Sequence, residues 1–279
     1  MASRWPVGAR HIQGMFAVPE ARCDRRWWGK DRPMQNCRRP SLLVVQPDPA
    51  GPLDRFAETF LEAGLNLRVV RPFAAESIPE QLVEDGLVVL GGNMSASDDD
   101  EYPWLHTTRK LLQQAVELSR PTLGICLGGQ LLSQTFGGAV VTGNHGLETG
   151  VVEVRLRPEA EQDELFASMP DPFLAGAMHS DMIRELPPGA IWLGDSDTYP
   201  HQAFRIGDFA WGVQFHPEVT LPSYRQWTSS FGGETPETKR RSHAGLSDFE
   251  RFEEGVTASA TALGRRFAEI IYERWQLGN

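Results

Sequence analysis

Residues Gly124 to Gln130 read Gly-Ile-Cys-Leu-Gly-Gly-Gln, and Phe215 to Glu218 read Phe-His-Pro-Glu. The first segment sets a cysteine where an apolar run meets a string of small residues. The second supplies an imidazole and, two residues on, a carboxylate. A thiol, an imidazole to take its proton and an acid to orient the imidazole are what a Cys-His-Glu nucleophilic site needs. Cys126 is one of three cysteines; the others, Cys23 and Cys37, lie near the start of the chain. An odd, sparse set without Cys-x-x-Cys points to neither a disulfide framework nor a zinc site. A lone cysteine is usually a small buried hydrophobe, so the case for reactivity rests on its pairing with His216 and Glu218.

The elements that must position these groups follow from pattern. Ser41–Gln46, Asn66–Arg71, Gly86–Leu90 and Pro121–Ile125 are apolar runs of strand length. Between them, Leu53–Ala63, Pro79–Glu84 and Leu105–Ser119 read as helices, and Gly128–Phe136 follows as another. Strands that are apolar throughout and alternate with helices indicate a parallel sheet covered on both faces. From residue 150 the character changes. Gly150–Arg157, Phe173–Met178, Ala190–Asp195, His201–Ile206 and Phe209–Phe215 are short strands with few helices between them, read as an antiparallel extension or edge of the same sheet. Helices return at Thr220–Ser229 and Ala258–Gln276, and the polar, glycine-containing Gly232–Leu246 reads as a surface loop or insertion. The expected fold is α/β, a flavodoxin-like open and mostly parallel sheet with helices on both faces.

In open α/β sheets the site gathers at the carboxyl ends of the strands. Cys126 ends the fourth strand, Gly91 and Gly92 follow the third, and His216 follows the Phe209–Phe215 strand. A strand–Gly-x-Cys-x-Gly–helix turn resembles a nucleophile elbow, with a helix N-terminus that favours thiolate. Gly91 and Gly92 can turn backbone N–H groups toward the site, and with the N–H of Leu127 they would hold an oxyanion. Glu218 would fix the tautomer of His216, which would take the thiol proton and return it to the leaving group. The acidic run Asp98–Glu101 reads as a solvated loop and helix cap rather than a metal site, and Tyr102-Pro-Trp104 as an anchor near the pocket mouth.

Bulk composition narrows the class. The chain has 279 residues, 41% of them hydrophobic, and a net charge of −10, which argues against general nucleic-acid binding. Its apolar stretches are too short to span a bilayer. Residues 1–40 carry nine Lys/Arg against three acids, whereas the remainder carries 18 basic and 34 acidic side chains. That basic segment reads first as a flexible or loosely docked extension, with 41–279 as the working domain. A start at Met34 and a transit peptide are the other readings; the segment is Arg-rich but Ser-poor and contains acids. Without a signal-peptide apolar stretch, the expected location is the cytoplasm.

With Gly91-Gly92, Gly124–Gln130 and Phe215–Glu218 in this order, the chain resembles the class I (triad) glutamine amidotransferases, and within them the glutaminase domain of the GMP-synthase type, here as a stand-alone chain. The resemblance covers about residues 41–230 and the last helix. It implies that Cys126 attacks the side-chain amide of glutamine, releases ammonia and forms a γ-glutamyl thioester, which water activated by His216 then hydrolyses. It also implies that Gln130 contacts the substrate. The backbone near Met178 and His179, in Ala177–Asp181, would hold the substrate's α-amino and α-carboxylate groups. Asp181 and His179 otherwise read as an ordinary surface turn. Gly129 departs from the family pattern, which often has histidine there, and is expected to alter the pocket wall or a partner surface. No cofactor and no metal are implied.

The chain has neither a phosphate-binding Gly-x-x-x-x-Gly-Lys-Ser/Thr loop nor a Ser-Gly-Gly-x-Asp-Ser pyrophosphatase loop. Activation of an acceptor therefore has no place in the sequence, and a separate synthetase or acceptor protein is the expected partner. A free-standing γ-glutamyl peptide or γ-glutamyl amine hydrolase would use the same residues, and an inactive regulatory or binding module would keep the fold without the chemistry.

Overall fold

Leu42, Leu43, Val44 and Val45 are all fully buried, which a strand allows only when both faces of its sheet are covered. The computed structural model describes residues 38–231 and 235–278. The pleat sends Leu42 and Val44 into one core and Leu43 and Val45 into another. Strands β1 (Ser41–Val45), β2 (Asn66–Val70), β3 (Gly86–Val89) and β4 (Thr122–Ile125) are joined through helices α1 (Arg55–Glu62) and α2 (Trp104–Glu117). Helix α3 (Leu127–Thr135) follows β4 directly.

After α3 come β5 (Ala139–Thr142), β6 (Glu148–Leu156), β7 (Phe173–His179), β8 (Asp181–Glu185), β9 (Ile191–Asp195), β10 (Ala203–Ile206) and β11 (Ala210–Val213). Helices α4 (Leu221–Phe231) and α5 (Pro236–Gly278) close the chain. Among the described residues the main sheet has nine strands in the order β2-β1-β3-β4-β11-β10-β9-β6-β7. The first five are parallel, in the flavodoxin-like order. The last four continue antiparallel. Strands β5 and β8 form a separate antiparallel pair. No helix among the described residues is long and apolar enough to cross a membrane.

The α/β architecture is the expected one, with four local differences. Strand β11 pairs parallel to β4, so it belongs to the parallel half and not to the antiparallel extension. Residues 79–84 form no helix. Six residues starting at proline are too few to offset helix nucleation, and α2 captures their backbone instead: Leu82 N–H donates to Gln114 Oε1, and Gln114 Nε2 donates to the Glu80 carbonyl. Strands β5 and β8 are additional elements that the pattern did not reveal.

The fourth difference is α5, which begins at Pro236 and takes in most of the expected loop. Proline at a first helical position fits without cost, Thr235 Oγ1 accepts from Thr238 N–H, and Glu237 pairs with Arg240 and Arg241. Gly245, which looks like a loop residue, is there because the helix lies on β6: a Cβ on it would stand 2.7 Å from the Gly150 nitrogen. The second half of α5 packs Phe267 against Phe60 and Trp211, with ring centroids 6.0 and 6.4 Å apart. Burying each such side chain contributes roughly 1.5–3 kcal/mol. The basic segment 1–40 lies, up to residue 37, outside the described residues.

Asp163 ties the loop before β7 to this sheet. Its carboxylate accepts from Trp211 Nε1, from the Leu165 and Phe166 amides and from Arg205 Nε, at 2.8–3.1 Å. Asp163→Ala is expected to lower stability by about 3 kcal/mol, because it strands buried donors. A urea unfolding midpoint that falls with an unchanged slope checks this.

Candidate active site

Cys126 stands between β4 and α3 with φ of 50° and ψ of −106°, left-handed backbone that costs on the order of 1–3 kcal/mol for a non-glycine residue. Its neighbours hold it there. The Cys126 amide donates to the Val213 carbonyl of β11 at 2.8 Å, and its carbonyl accepts from Gln130 N–H at 2.9 Å. The flanking glycines are required by close approach of backbones. A Cβ on Gly124 would lie 2.5 Å from the Gly128 carbonyl oxygen, and one on Gly128 only 2.0 Å from that of Val89. The turn thus projects the side chain of Cys126 at the positive end of the α3 dipole.

Because β11 runs parallel beside β4, its end brings His216 to Cys126. The His216 amide donates to the Gly176 carbonyl of β7 at 2.7 Å, and the ring Nδ1 lies 2.8 Å from Glu218 Oε1. Trp227 meets the ring edge-on at 4.7 Å and is itself anchored by its Nε1 donating to the Ala50 carbonyl. Burial alone would hold His216 neutral. The Glu218 carboxylate and the Cys126 sulfur, by charge and by hydrogen bonding, outweigh it and raise the ring to about 10 from 6.5. The raised value makes the imidazolium's contribution full below 6.5, and it is lost as pH rises through about 10. At neutral pH the ring is therefore charged and ready to donate a proton.

These groups open onto a pocket of about 390 Å³, within the range of small-molecule sites. Cys126 and His216 line it, as do Gly91, Gly92, Gln130, Met178 and His179. Glu218 sits behind His216, buried, with its other carboxylate oxygen lacking any hydrogen-bond partner among the described residues. Leu127 is buried at the first turn of α3. Gly91 is pressed on the pair: a Cβ there would be 2.7 Å from His216 Cε1 and 3.5 Å from the Cys126 Cβ.

Two local expectations are corrected here, and one alternative reading falls. His179 and Asp181 are not the ordinary surface turn of that alternative. They end β7 and begin β8, and the His179 ring is buried, with Nε2 2.7 Å from Glu148 Oε2 and Nδ1 2.9 Å from the Asp181 carbonyl oxygen. Ser196 Oγ and Gln202 Nε2 also donate to Glu148 at 2.9 and 2.7 Å; burial would raise the Glu148 carboxyl, but the hydrogen bond and charge of His179, helped by these two donors, hold it below its usual value. Gly129 does not line the pocket; it is buried under β11, where a Cβ would be 2.8 Å from the Val213 carbonyl oxygen. The acidic run does not cap α2, which begins after Pro103 with no side-chain cap. Asp98 instead accepts from Ser95 N–H, and Asp99 pairs with Arg109. Tyr102 and Trp104 pack against the α2-side core.

Several residues of the site carried no sequence signal strong enough to single them out. Gln214 places Nε2 3.6 Å from Cys126 Sγ; a polar residue interrupting an apolar strand just before His216 was the available clue. Glu148 meets His179 across 31 residues, and Trp227 meets His216 from α4, contacts that only folding makes. Among the described residues no group of three or more His, Cys, Asp or Glu side chains converges as metal ligands would.

Gly91→Ala is expected to displace the His216 ring while leaving the sheet intact, so activity falls roughly 100-fold with little change in melting temperature. Steady-state turnover and a thermal melt on the same preparation check this.

Comparison with known proteins gives the family and the fold. The sequence model of the family described as Glutamine amidotransferase class-I matches residues 54–246. The glutamine-hydrolysing GMP synthase subunit of Pyrococcus abyssi is 40% identical over 182 residues, spanning 64% of this chain and 89% of that protein. The corresponding subunit of Archaeoglobus fulgidus is 39% identical over 142 residues, 50% of this chain and 70% of its own. The crystal structure of a Thermotoga maritima glutamine amidotransferase superposes with a TM-score of 0.73 at 26% identity, covering 83% of this chain and 99% of that one. The chain belongs to the class-I glutamine amidotransferase family, and it is an enzyme of that family with affinity to the GMP-synthase type.

Proposed function

We propose that the protein hydrolyses the side-chain amide of glutamine through a Cys126 thioester and passes the ammonia to a separate acceptor-activating protein. The observation that carries this reading is Cys126 and His216 lining one pocket together, with Glu218 behind the ring 2.8 Å from its Nδ1. The sulfur attacks the amide carbon, and the N–H groups of Gly91, Gly92 and Leu127 take up the negative oxygen. As the carbon–nitrogen bond breaks, His216 gives its proton to the departing nitrogen. A water then attacks the thioester carbon and loses its proton to His216. The carbon–sulfur bond breaks, and glutamate leaves with the thiolate–imidazolium pair restored. Gln130 and the backbone at Met178 and His179 hold the amino-acid end of the substrate. The glutamine-hydrolysing subunits of Pyrococcus and Archaeoglobus support glutamine as substrate, and their designation as subunits supports a partner.

Cys126→Ala is expected to reduce ammonia and glutamate release from glutamine by at least roughly 10⁴-fold; turnover surviving in the variant would remove Cys126 as nucleophile. Glu218→Gln takes away a charge that raises His216, so the alkaline limb of the kcat/KM profile is expected to move down from about 10. A panel of γ-glutamyl peptides and amines, run beside glutamine, tests the substrate: turnover of the panel without glutaminase activity would make the protein a γ-glutamyl hydrolase.

A further inference from the structure

The Cys126 sulfur has a second neighbour besides His216, and that neighbour leads across the pocket. Gln214 is buried, with Nε2 3.6 Å from Cys126 Sγ. Its Oε1 accepts from Gln130 Nε2 at 3.2 Å, and the same Gln130 nitrogen is 3.2 Å from the Asp181 carbonyl oxygen. His179 Nδ1 meets that carbonyl from the other side at 2.9 Å. We propose that Gln214 and Gln130 form a two-amide bridge that donates a hydrogen bond to the Cys126 sulfur and ties it to the strand turn forming the substrate wall. This deepens the proposed reaction and rests on Cys126 as its nucleophile.

The direction of the bridge follows from its far end. A side-chain amide is oriented by its hydrogen bonds, since only its NH₂ group donates. The Asp181 carbonyl can only accept, so the Gln130 atom facing it is the NH₂ group. That NH₂ also faces one Gln214 atom, which must therefore be its oxygen. The remaining Gln214 atom, toward the sulfur, is then NH₂. Reversing either amide sets donor against donor or acceptor against acceptor in a buried space, where an unmade bond is costly.

An N–H directed at sulfur favours the thiolate and restricts where it points, and both effects grow away from water. Gln214 is held in turn: its amide N–H donates to the Gln202 carbonyl at 2.9 Å, and the Gln202 side chain donates to Glu148. Glu148 also holds His179. The turn that would grip the substrate's amino-acid end and the sulfur that attacks its amide are thus joined by a continuous line of hydrogen bonds. Gln214 touches the reacting atom; toward the sulfur, as distinct from its own contact with substrate, Gln130 acts through Gln214 as a positioning residue.

The test reads the sulfur without substrate, so its failure is distinguishable from failure of glutamine hydrolysis. Iodoacetamide alkylation is followed against pH in a Cys23→Ser/Cys37→Ser protein, in which Cys126 is the remaining thiol. Gln214→Met keeps length and removes the donor. His216, Glu218, His179 and the pocket carboxylates Asp48, Asp98 and Asp181 are the same in both proteins. Expected is an alkylation midpoint about one unit higher, equivalent to about tenfold slower reaction on the acid side, in a protein that still melts cooperatively a few degrees lower because Gln130 loses an acceptor. A folded Gln214→Met protein with an unaltered alkylation profile overturns the bridge. Side-chain amide spectra of the ¹⁵N-glutamine-labelled wild-type chain give the same decision should the variant not fold. A glutamine amide pair is expected to titrate together with alkylation and to stop doing so in Cys126→Ala. Absence of any such pair overturns the proposal.

Discussion

The parallel pairing of β11 with β4 is the constraint on which the site depends. These strands come from sequence segments some ninety residues apart, and their register sets the Cys126 amide on the Val213 carbonyl. That bond fixes the elbow to the strand that carries His216. Shift the register by one residue and every side chain of β11 changes face; the imidazole would leave the sulfur. The buried Gly124, Gly128 and Gly129 belong to the same constraint, because β3, β4, β11 and the first turn of α3 crowd together at distances that exclude a Cβ. The glycine at 129 is thus explained by packing of α3 on β11 and not by the shape of the pocket.

Electrostatics at the site is a contest that charge wins against burial. A buried histidine alone would be neutral. Here a carboxylate on one side and a sulfur on the other keep the ring charged up to about 10. Among the described residues the Glu218 carboxylate makes a single hydrogen bond, to the ring, so its charge is answered within the site itself. Such a pair is costly to assemble and strongly destabilised by loss of one member, and its surroundings are closely packed: Trp227 covers His216, and Gly91 leaves no gap beneath it.

The antiparallel half of the sheet supplies the opposite wall. Tyr224 from α4 donates to the Ala177 carbonyl at 3.0 Å and bonds Thr149 at 2.7 Å, so β6 and β7 are held together at the end that carries Met178 and His179. Burial pushes its hydroxyl up to about 12, so it remains a donor. The first half of α5 lies on these strands, and Arg241 donates to the His145 carbonyl beside Leu147 of the pocket rim. A segment that reads as a polar loop is therefore a helix that supports the wall.

The class of fold and the candidate site residues were legible in the order of residues. The apolar runs were short and separated by helical spacing, so local pattern sufficed for a parallel sheet. Cys126, His216 and Glu218 stood out because each sits beside a strand end with residues that mark a turn. Long-range contacts settled what pattern cannot carry. They placed β11 in the parallel half, since strand direction within a sheet depends on partners far along the chain. They turned residues 236–246 into helix, since a glycine such as Gly245 marks close packing on β6 and a break in the chain with equal local signal. They also assembled Gln214, Gln130 and Asp181 into one hydrogen-bonded line, and Glu148, His179 and Gln202 into another. Buried polar residues satisfy each other across long separations, and only the folded chain shows which pairs meet.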